Sequence, residues 1–296
     1  MRAVTVRAPA KLNLGLEVLG RRDDGYHELV SIMVNVDLAD EVTLTTAPGL
    51  AISGPYASDA PVDPGEELAS RTLRALEART GRPLGYGLAI DKRIPVGAGL
   101  GGGSADAAAV LRAAPAMGVE LSDDERMALA LELGADVPFQ AVGGAAIVRG
   151  AGERVQPLPV PELWAAVVFP GVRVSTAAVF AELREDEWGT GKVIEAAGRF
   201  VADGGGAGAL TRLPNSLLAP ATRLYPQLAV HVAELRQKGW EPRLTGTGGA
   251  LFQVCFDRSE AETLAVRTWD LGLRAWAVRA IDPGALGPLA PGSPAP

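Results

Sequence analysis

Apolar and polar residues alternate over Val4-Thr5-Val6-Arg7 with the period of two that a half-buried strand requires, and Pro9 is expected to stop it. Residues 17–19 and 41–45 read as further strands around a polar turn at 21–25. The period then lengthens. Over 67–79 apolar or small residues fall at helical spacing (Leu68, Thr72, Leu73, Leu76), and 87–90 is a short strand that ends before Pro95. Residues 96–103 carry glycine at five of eight positions, and the alanine-rich stretch 105–114 behind them predicts a helix running to Pro115. Ser122 followed three residues later by Glu125 has the spacing of a capping box; Met127, Leu129, Leu131 and Leu133 continue that helix and Gly134 ends it.

Pro157, Pro159 and Pro161 mark a boundary. Beyond it, 163–169 is an apolar strand ended by Pro170-Gly171, helical patterns cover 176–183, 193–201, 225–237 and 260–271, and strands cover 250–256 and 276–281. Residues 204–208 read as a mobile glycine loop, and the Gly- and Pro-rich composition from Pro283 predicts a disordered tail. The expected organisation is one unit over 1–158, a second over 159–282 and a tail over 283–296, without internal repeats. The mixed order of strands and helices indicates α+β rather than a regularly alternating parallel sheet.

Composition narrows the function. A 48% hydrophobic share in 296 residues is enough for a substantial core, and the length suits two domains. The single cysteine, Cys255, lies in an apolar strand and cannot close an internal disulfide, which suits a reducing, cytoplasmic setting. No apolar run approaches the roughly 18 to 20 residues that span a bilayer, so neither export nor anchoring is expected. A formal charge of −7 lacks the basic face that a sequence-independent grip on nucleic acid needs, and a small-molecule partner is expected instead. Only four of the 28 basic residues are lysines (Lys11, Lys92, Lys192, Lys238), so each lysine is a choice in a chain that otherwise uses arginine.

The glycine segment carries the clearest chemistry. In Pro95-Val96-Gly97-Ala98-Gly99-Leu100-Gly101-Gly102-Gly103-Ser104-Ala105 the missing Cβ atoms let backbone N–H groups surround an anion, and the following helix aims its positive end at the same place. That pattern favours a phosphate site over a flexible linker. Gly189-Thr190-Gly191-Lys192 is followed by valine and is no Walker loop, whereas Gly97, Gly99 and Gly102 do satisfy G-x-G-x-x-G. A dinucleotide fold would place that loop after its first strand, with an acidic residue about 20 residues on, so it is the second choice here. Asp136, expected just past a helix end with Val137 held extended by Pro138, reads equally as a functional carboxylate or a solvated turn residue. Lys11 is either catalytic or a snorkelling strand-edge lysine. Tyr26-His27 could stack on and hydrogen-bond a base or be a half-buried turn pair, and Thr245-Gly246-Thr247-Gly248-Gly249 could approach a phosphate or form a bulged hairpin. Two histidines and one cysteine, so scattered, do not compose a transition-metal site.

Taken together and in this order, the motifs resemble the galactokinase, homoserine kinase and mevalonate kinase superfamily, and within it the family of 4-diphosphocytidyl-2-C-methyl-D-erythritol kinases. Four segments carry the resemblance: Ala8-Pro9-Ala10-Lys11-Leu12-Asn13-Leu14, Arg22-Asp23-Asp24-Gly25-Tyr26-His27-Glu28-Leu29, the glycine loop, and Gly134-Ala135-Asp136-Val137-Pro138-Phe139. Leu244 to Gly249 looks like the superfamily's third motif. The resemblance implies a ribosomal-protein-S5-like N-terminal domain, a ferredoxin-like C-terminal domain, and ATP-dependent phosphorylation of a tertiary alcohol on a substrate with a cytidine diphosphate moiety. It implies Asp136 as base with Lys11 beside it, Tyr26, His27, Asn13 and Phe180 on the substrate, and Lys92, Pro95, Gly97, Gly99, Leu100, Gly101, Gly102, Gly103, Ser104, Ala105, Gly246 and Gly248 on the nucleotide. Mg²⁺ is expected to accompany the phosphates, with water and the Ser104 hydroxyl as ligands. Glu67 stands where relatives usually carry asparagine near the adenine, and Asn215-Ser216-Leu217 where they often carry Asn-Asp-Leu. A related kinase for another alcohol would keep Lys11, Asp136 and the loop without needing Tyr26 and His27; a non-catalytic nucleotide-binding module would keep the loop alone.

Overall fold

The structure is a computed structural model that describes residues 3–287 apart from 62, 64 and 82. Its first half is organised by two 19-residue strands, β1 (Ala3–Arg21) and β2 (His27–Thr45), paired antiparallel from Ala3 opposite Thr45 to Arg21 opposite His27. The short strands expected from the sequence are therefore one continuous hairpin around the polar turn. Pro9 does not stop β1, because it lies at a register shift between Pro9 and Lys11, where a bulge asks no ladder N–H of it. A second shift between Asn13 and Gly15 bends the strand again. Period two then decides what each side chain meets: Ala10, Leu12 and Leu14 enter the core, while Lys11 and Asn13 take the opposite face.

β3 (Gly49–Ser53), α1 (Leu68–Thr80), β4 (Gly87–Asp91), α2 (Gly102–Ala113), α3 (Asp123–Leu133), α4 (Val137–Val142), β5 (Ala145–Gly150) and β6 (Arg154–Leu158) complete the first half. The sheet order is β3-β4-β2-β5-β6, with β1 lying along β2. Its helices bury Leu76, Val110, Leu111, Leu129 and Val137 against Val6, Val42, Leu44 and Ile90. The expected capping box of Ser122 and Glu125 forms at the start of α3. α2 begins three residues before the expected 105, since Gly102 and Gly103 adopt no left-handed backbone and simply join its first turn.

A second, antiparallel sheet, β10-β7-β9-β8, is built from β7 (Trp164–Phe169), β8 (Arg243–Leu244), β9 (Leu251–Cys255) and β10 (Arg274–Arg279). It is accompanied by α5 (Thr176–Glu182), α6 (Lys192–Ala202), α7 (Leu218–Leu224), α8 (Pro226–Gln237) and α9 (Arg258–Arg267). The alternation of β7 joins the two halves: Ala165 and Val167 share a core with Leu12, Leu14 and Ile32, while Ala166 and Val168 face a core with α7 and α8. Cys255 is buried at the end of β9, and burial pushes its thiol up to about 12, the state of an inert core residue.

The glycine loop after α6 leads into a 3-10 turn, Ala207–Leu210, whose Leu210 is buried. One expectation drawn from composition is corrected. The expected tail starts ordered: Pro283–Leu286 is a 3-10 turn with Leu286 fully buried. A single apolar residue can anchor such a segment, and average composition does not register it. Residues 288–296 of that tail lie outside the described residues. No helix among the described residues is long and apolar enough to cross a membrane.

Candidate active site

The bulges of β1 turn Lys11 and Asn13 toward a cleft of about 1150 Å³ that the glycine segment also lines. Lys11 is 3% exposed, and its Nζ donates to Asn13 Oδ1 at 2.5 Å and lies 3.5 Å from Asp136 Oδ2. Asn13 Nδ2 donates to Ser31 Oγ at 2.9 Å, and Ser31 Oγ to the Gly15 carbonyl at 2.7 Å, so the amide cannot rotate away from the lysine. Asp136 does lie just past the end of α3, as expected, but Val137 is not extended. Val137 and Pro138 are helical, and Asp136 is the N-cap of the six-residue α4, with Pro in the first turn where its missing N–H costs nothing. Its side chain caps nothing and is 38% exposed, leaving the carboxylate free toward the cleft and Lys11.

The glycine segment is wedged between β1 and the 245–250 loop. Lys11 N donates to Leu100 O at 2.9 Å and Ala250 N to Ala98 O at 2.8 Å. Gly99 has φ +76°, and a Cβ there would fall 2.6 Å from Gly248 O, so only glycine allows the two loops to touch. Gly246 packs over the lysine, where a Cβ would lie 3.0 Å from Lys11 Nζ. Pro95, Gly97, Leu100, Gly102, Gly103 and Ser104 line the cleft. Gly248 and Ala105 do not: the first turns against Leu244 and the second is buried in the core.

Tyr26, 64% exposed, His27 and Phe180 come together at one end of the cleft, although Phe180 is 153 residues from His27 in sequence. The His27 and Phe180 rings lie 5.0 Å apart at 30°. Burial, aided by the Arg21 charge, lowers the His27 pKa, so the imidazole is neutral at neutral pH. Leu183 and Trp188 also line the cleft; nothing in their sequence context distinguished them.

Lys92 lines the cleft from a buried cluster. Its Nζ is bound by Asp40 at 2.5 Å and Asp106 at 2.6 Å, its N–H donates to Ser53 O, and its carbonyl accepts from Tyr56 N, so every polar group already has a partner in the chain. Burial opposes the ammonium, but the two carboxylates outweigh it and hold the Lys92 pKa above its ordinary value. One ammonium cannot neutralise two buried carboxylates, and burial pushes Asp106 well above the usual range. Asp40 also accepts from Arg93 N and Ile94 N, fixing the entry to the glycine segment. Sequence reasoning missed Asp40 and Asp106, which lie in ordinary strand and helix patterns. Glu67 caps α1 through Ala69 N and Ser70 N at 3.0 and 2.7 Å, which accounts for an acid at that position.

Comparison with known proteins places this geometry. A family model for the GHMP kinases N terminal domain matches residues 67–144. The 4-diphosphocytidyl-2-C-methyl-D-erythritol kinase of Thermus thermophilus is 40% identical over 276 residues, covering 91% of this chain and 94% of its own. The chain belongs to the 4-diphosphocytidyl-2-C-methyl-D-erythritol kinase family. A crystal structure of 4-(cytidine 5'-diphospho)-2C-methyl-D-erythritol kinase, 37% identical, matches with a TM-score of 0.76 over 94% of this chain and 100% of its own. Homoserine kinase from Cytophaga hutchinsonii, at 19% identity and a TM-score of 0.70, shares the fold. Membership of the 4-diphosphocytidyl-2-C-methyl-D-erythritol kinase family makes the chain a small-molecule kinase with an α+β, two-sheet fold.

Proposed function

We propose that this chain transfers the γ-phosphoryl group of ATP to the 2-hydroxyl of 4-diphosphocytidyl-2-C-methyl-D-erythritol, a step of the non-mevalonate isoprenoid precursor route, in the cytoplasm. The observation that carries the reading is the Asp136–Lys11 pair, 3.5 Å apart in the cleft between the glycine segment and the Tyr26–His27–Phe180 end. Residues 1–158 supply the nucleotide loop and 159–282 close the substrate side.

Phosphoryl transfer asks a protein chiefly to position reactants and neutralise charge. Asp136 accepts the alcohol proton as the substrate oxygen bonds to the γ-phosphorus and the bond to the β-phosphate oxygen breaks, releasing ADP. Lys11, held by Asn13, is a point charge between carboxylate and developing alkoxide. The backbone N–H groups at the start of α2 meet the phosphates. Mg²⁺ bound to the triphosphate would supply further charge neutralisation; the Ser104 hydroxyl in the first turn of α2 lines the cleft and suits that oxygen chemistry.

A coupled ADP-release assay tests the reading: turnover is expected with the cytidine substrate, and turnover of another alcohol without a cytidine moiety would assign a different kinase. Tyr26→Ala is expected to raise KM for the cytidine substrate about ten- to a hundredfold with the ATP KM unchanged, since stacking of a base on an aromatic contributes about 1–3 kcal/mol. Loss of ATP affinity instead would move Tyr26 out of the base site. Because His27 must be neutral to offer both a donor and an acceptor to the base, the KM for the cytidine substrate is expected to rise as pH falls below the ordinary histidine value of about 6.5. A pH series in which wild type and His27→Ala rise in parallel would show that the imidazole is not the group responsible.

A further inference from the structure

The six-residue α4 that presents Asp136 is too short to hold its own place, so its position depends on what it touches. Two sets of contacts fix it. Toward the cleft, Gln140 lies one turn after Asp136; its Nε2 donates to Pro9 O at 3.2 Å and its Oε1 accepts from Asn35 Nδ2 at 2.8 Å. Asn35 Nδ2 also donates to Ala10 O at 3.3 Å, so α4 is tied to the two residues that precede Lys11. At its other end, α4 meets the last described segment of the chain. A Cβ at Gly143 would lie 2.4 Å from Leu286 Cδ1, and one at Gly144 would lie 2.7 Å from Pro283 Cγ, so these glycines form the seat of the Pro283–Leu286 turn.

Arg112 spans the two pieces. It lies in the last turn of α2, is 5% exposed, and donates from Nη1 to Ala141 O at 3.0 Å and from Nη2 to Gly287 O at 2.9 Å. A planar fork can grip two carbonyls at once in fixed geometry; an ammonium cannot. Burial, with the Arg126 charge, lowers its pKa to about 10, which leaves the fork charged at neutral pH.

We infer that Arg112, with the C-terminal strap it grips, is a positioning residue for the Asp136–Lys11 pair. This rests on the role proposed above for that pair. The buried arginine joins the helix that cradles phosphate, the helix that presents the base and the Pro283–Gly287 strap, so loosening it frees α4 to shift while the glycine segment and the base-recognition end keep their own contacts.

The test compares wild type with Arg112→Gln, Arg112→Lys and Leu286→Ala, reading kcat, both KM values and hydrogen exchange of the Gln140 and Gly143 amides, which donate within α4 to Asp136 O and Phe139 O. A misplacement of about 1 Å can lower a rate on the order of a hundredfold, so Arg112→Gln is expected to reduce kcat about ten- to a hundredfold with both KM values within twofold, and to speed exchange at both amides. Arg112→Lys should recover part of the loss, and Leu286→Ala should shift the same quantities in the same direction. Unchanged kcat and unchanged exchange in folded Arg112→Gln would overturn the inference, as would a loss confined to KM. If Arg112→Gln does not fold, Leu286→Ala decides by the same readouts. Should wild type fail to turn over the cytidine substrate, the reading of the site fails, and the exchange measurement still reports whether the strap holds α4.

Discussion

Asp136→Asn is expected to lower turnover of the cytidine substrate by about 10²- to 10⁴-fold, the range for removal of a general base, while ATP binding stays within a factor of two. The carboxamide fills the same space, and because the side chain caps no helix N–H, the exchange deprives α4 of no hydrogen bond. Stability should therefore hold, which separates this site from an ordinary N-cap aspartate, whose loss costs about 1 kcal/mol. A variant that keeps more than a tenth of wild-type kcat, measured by ADP release under saturating substrates, would return Asp136 to the role of a turn residue. Lys11 sharpens the comparison. In the Asp136→Asn variant the ammonium still donates to Asn13 but faces a neutral carboxamide in place of the carboxylate 3.5 Å away, so the variant tests the proton acceptor with the point charge retained.

Much of the site was legible because its chemistry depends on local rules. Glycines at 97, 99 and 101 all take positive φ, which glycine alone adopts readily, and the alanine run behind them becomes the buried helix α2. The capping box at Ser122 is likewise a four-residue affair. What escaped were the consequences of distant pairing. Pro9 looks like a strand end until β2 is laid beside it and the bulge absorbs the missing donor. Pro138 looks like a bar to helix until Val137 and Pro138 become the first turn of α4, and that turn exists because Gln140 and Phe139 have buried places to go. Lys92 was legible as an unusual lysine, but its partners Asp40 and Asp106 lie 52 and 14 residues away, so its place in a buried cluster was not. Leu286 sat in a stretch whose composition suggested disorder, and only the bare surface of Gly143 gives it a seat.

Gly101→Val is expected to lower kcat/KM for ATP at least a hundredfold, and the reason lies as much with Lys11 as with the nucleotide. Gly101 is the N-cap of α2 at φ +73°, a conformation that costs an L-residue of order 1–2 kcal/mol and a β-branched one more. A Cβ there would stand 2.9 Å from Lys11 Cγ and 3.2 Å from Gln140 Nε2. The first contact pushes the lysine out of its place between Asn13 and Asp136; the second strains the amide that ties α4 to β1. Relieving either clash moves the first turn of α2, whose N–H groups are the proposed phosphate cradle, so binding and chemistry are expected to fall together. Gly206→Ala is the internal control: Gly206 does not line the cleft, a Cβ there meets nothing within 4 Å, and its φ of −77° suits any residue, so ATP titration calorimetry should give nearly wild-type affinity. If Gly101→Val binds ATP as tightly as Gly206→Ala with both proteins folded by circular dichroism, the phosphates bind elsewhere in the cleft and the first turn of α2 is not their cradle.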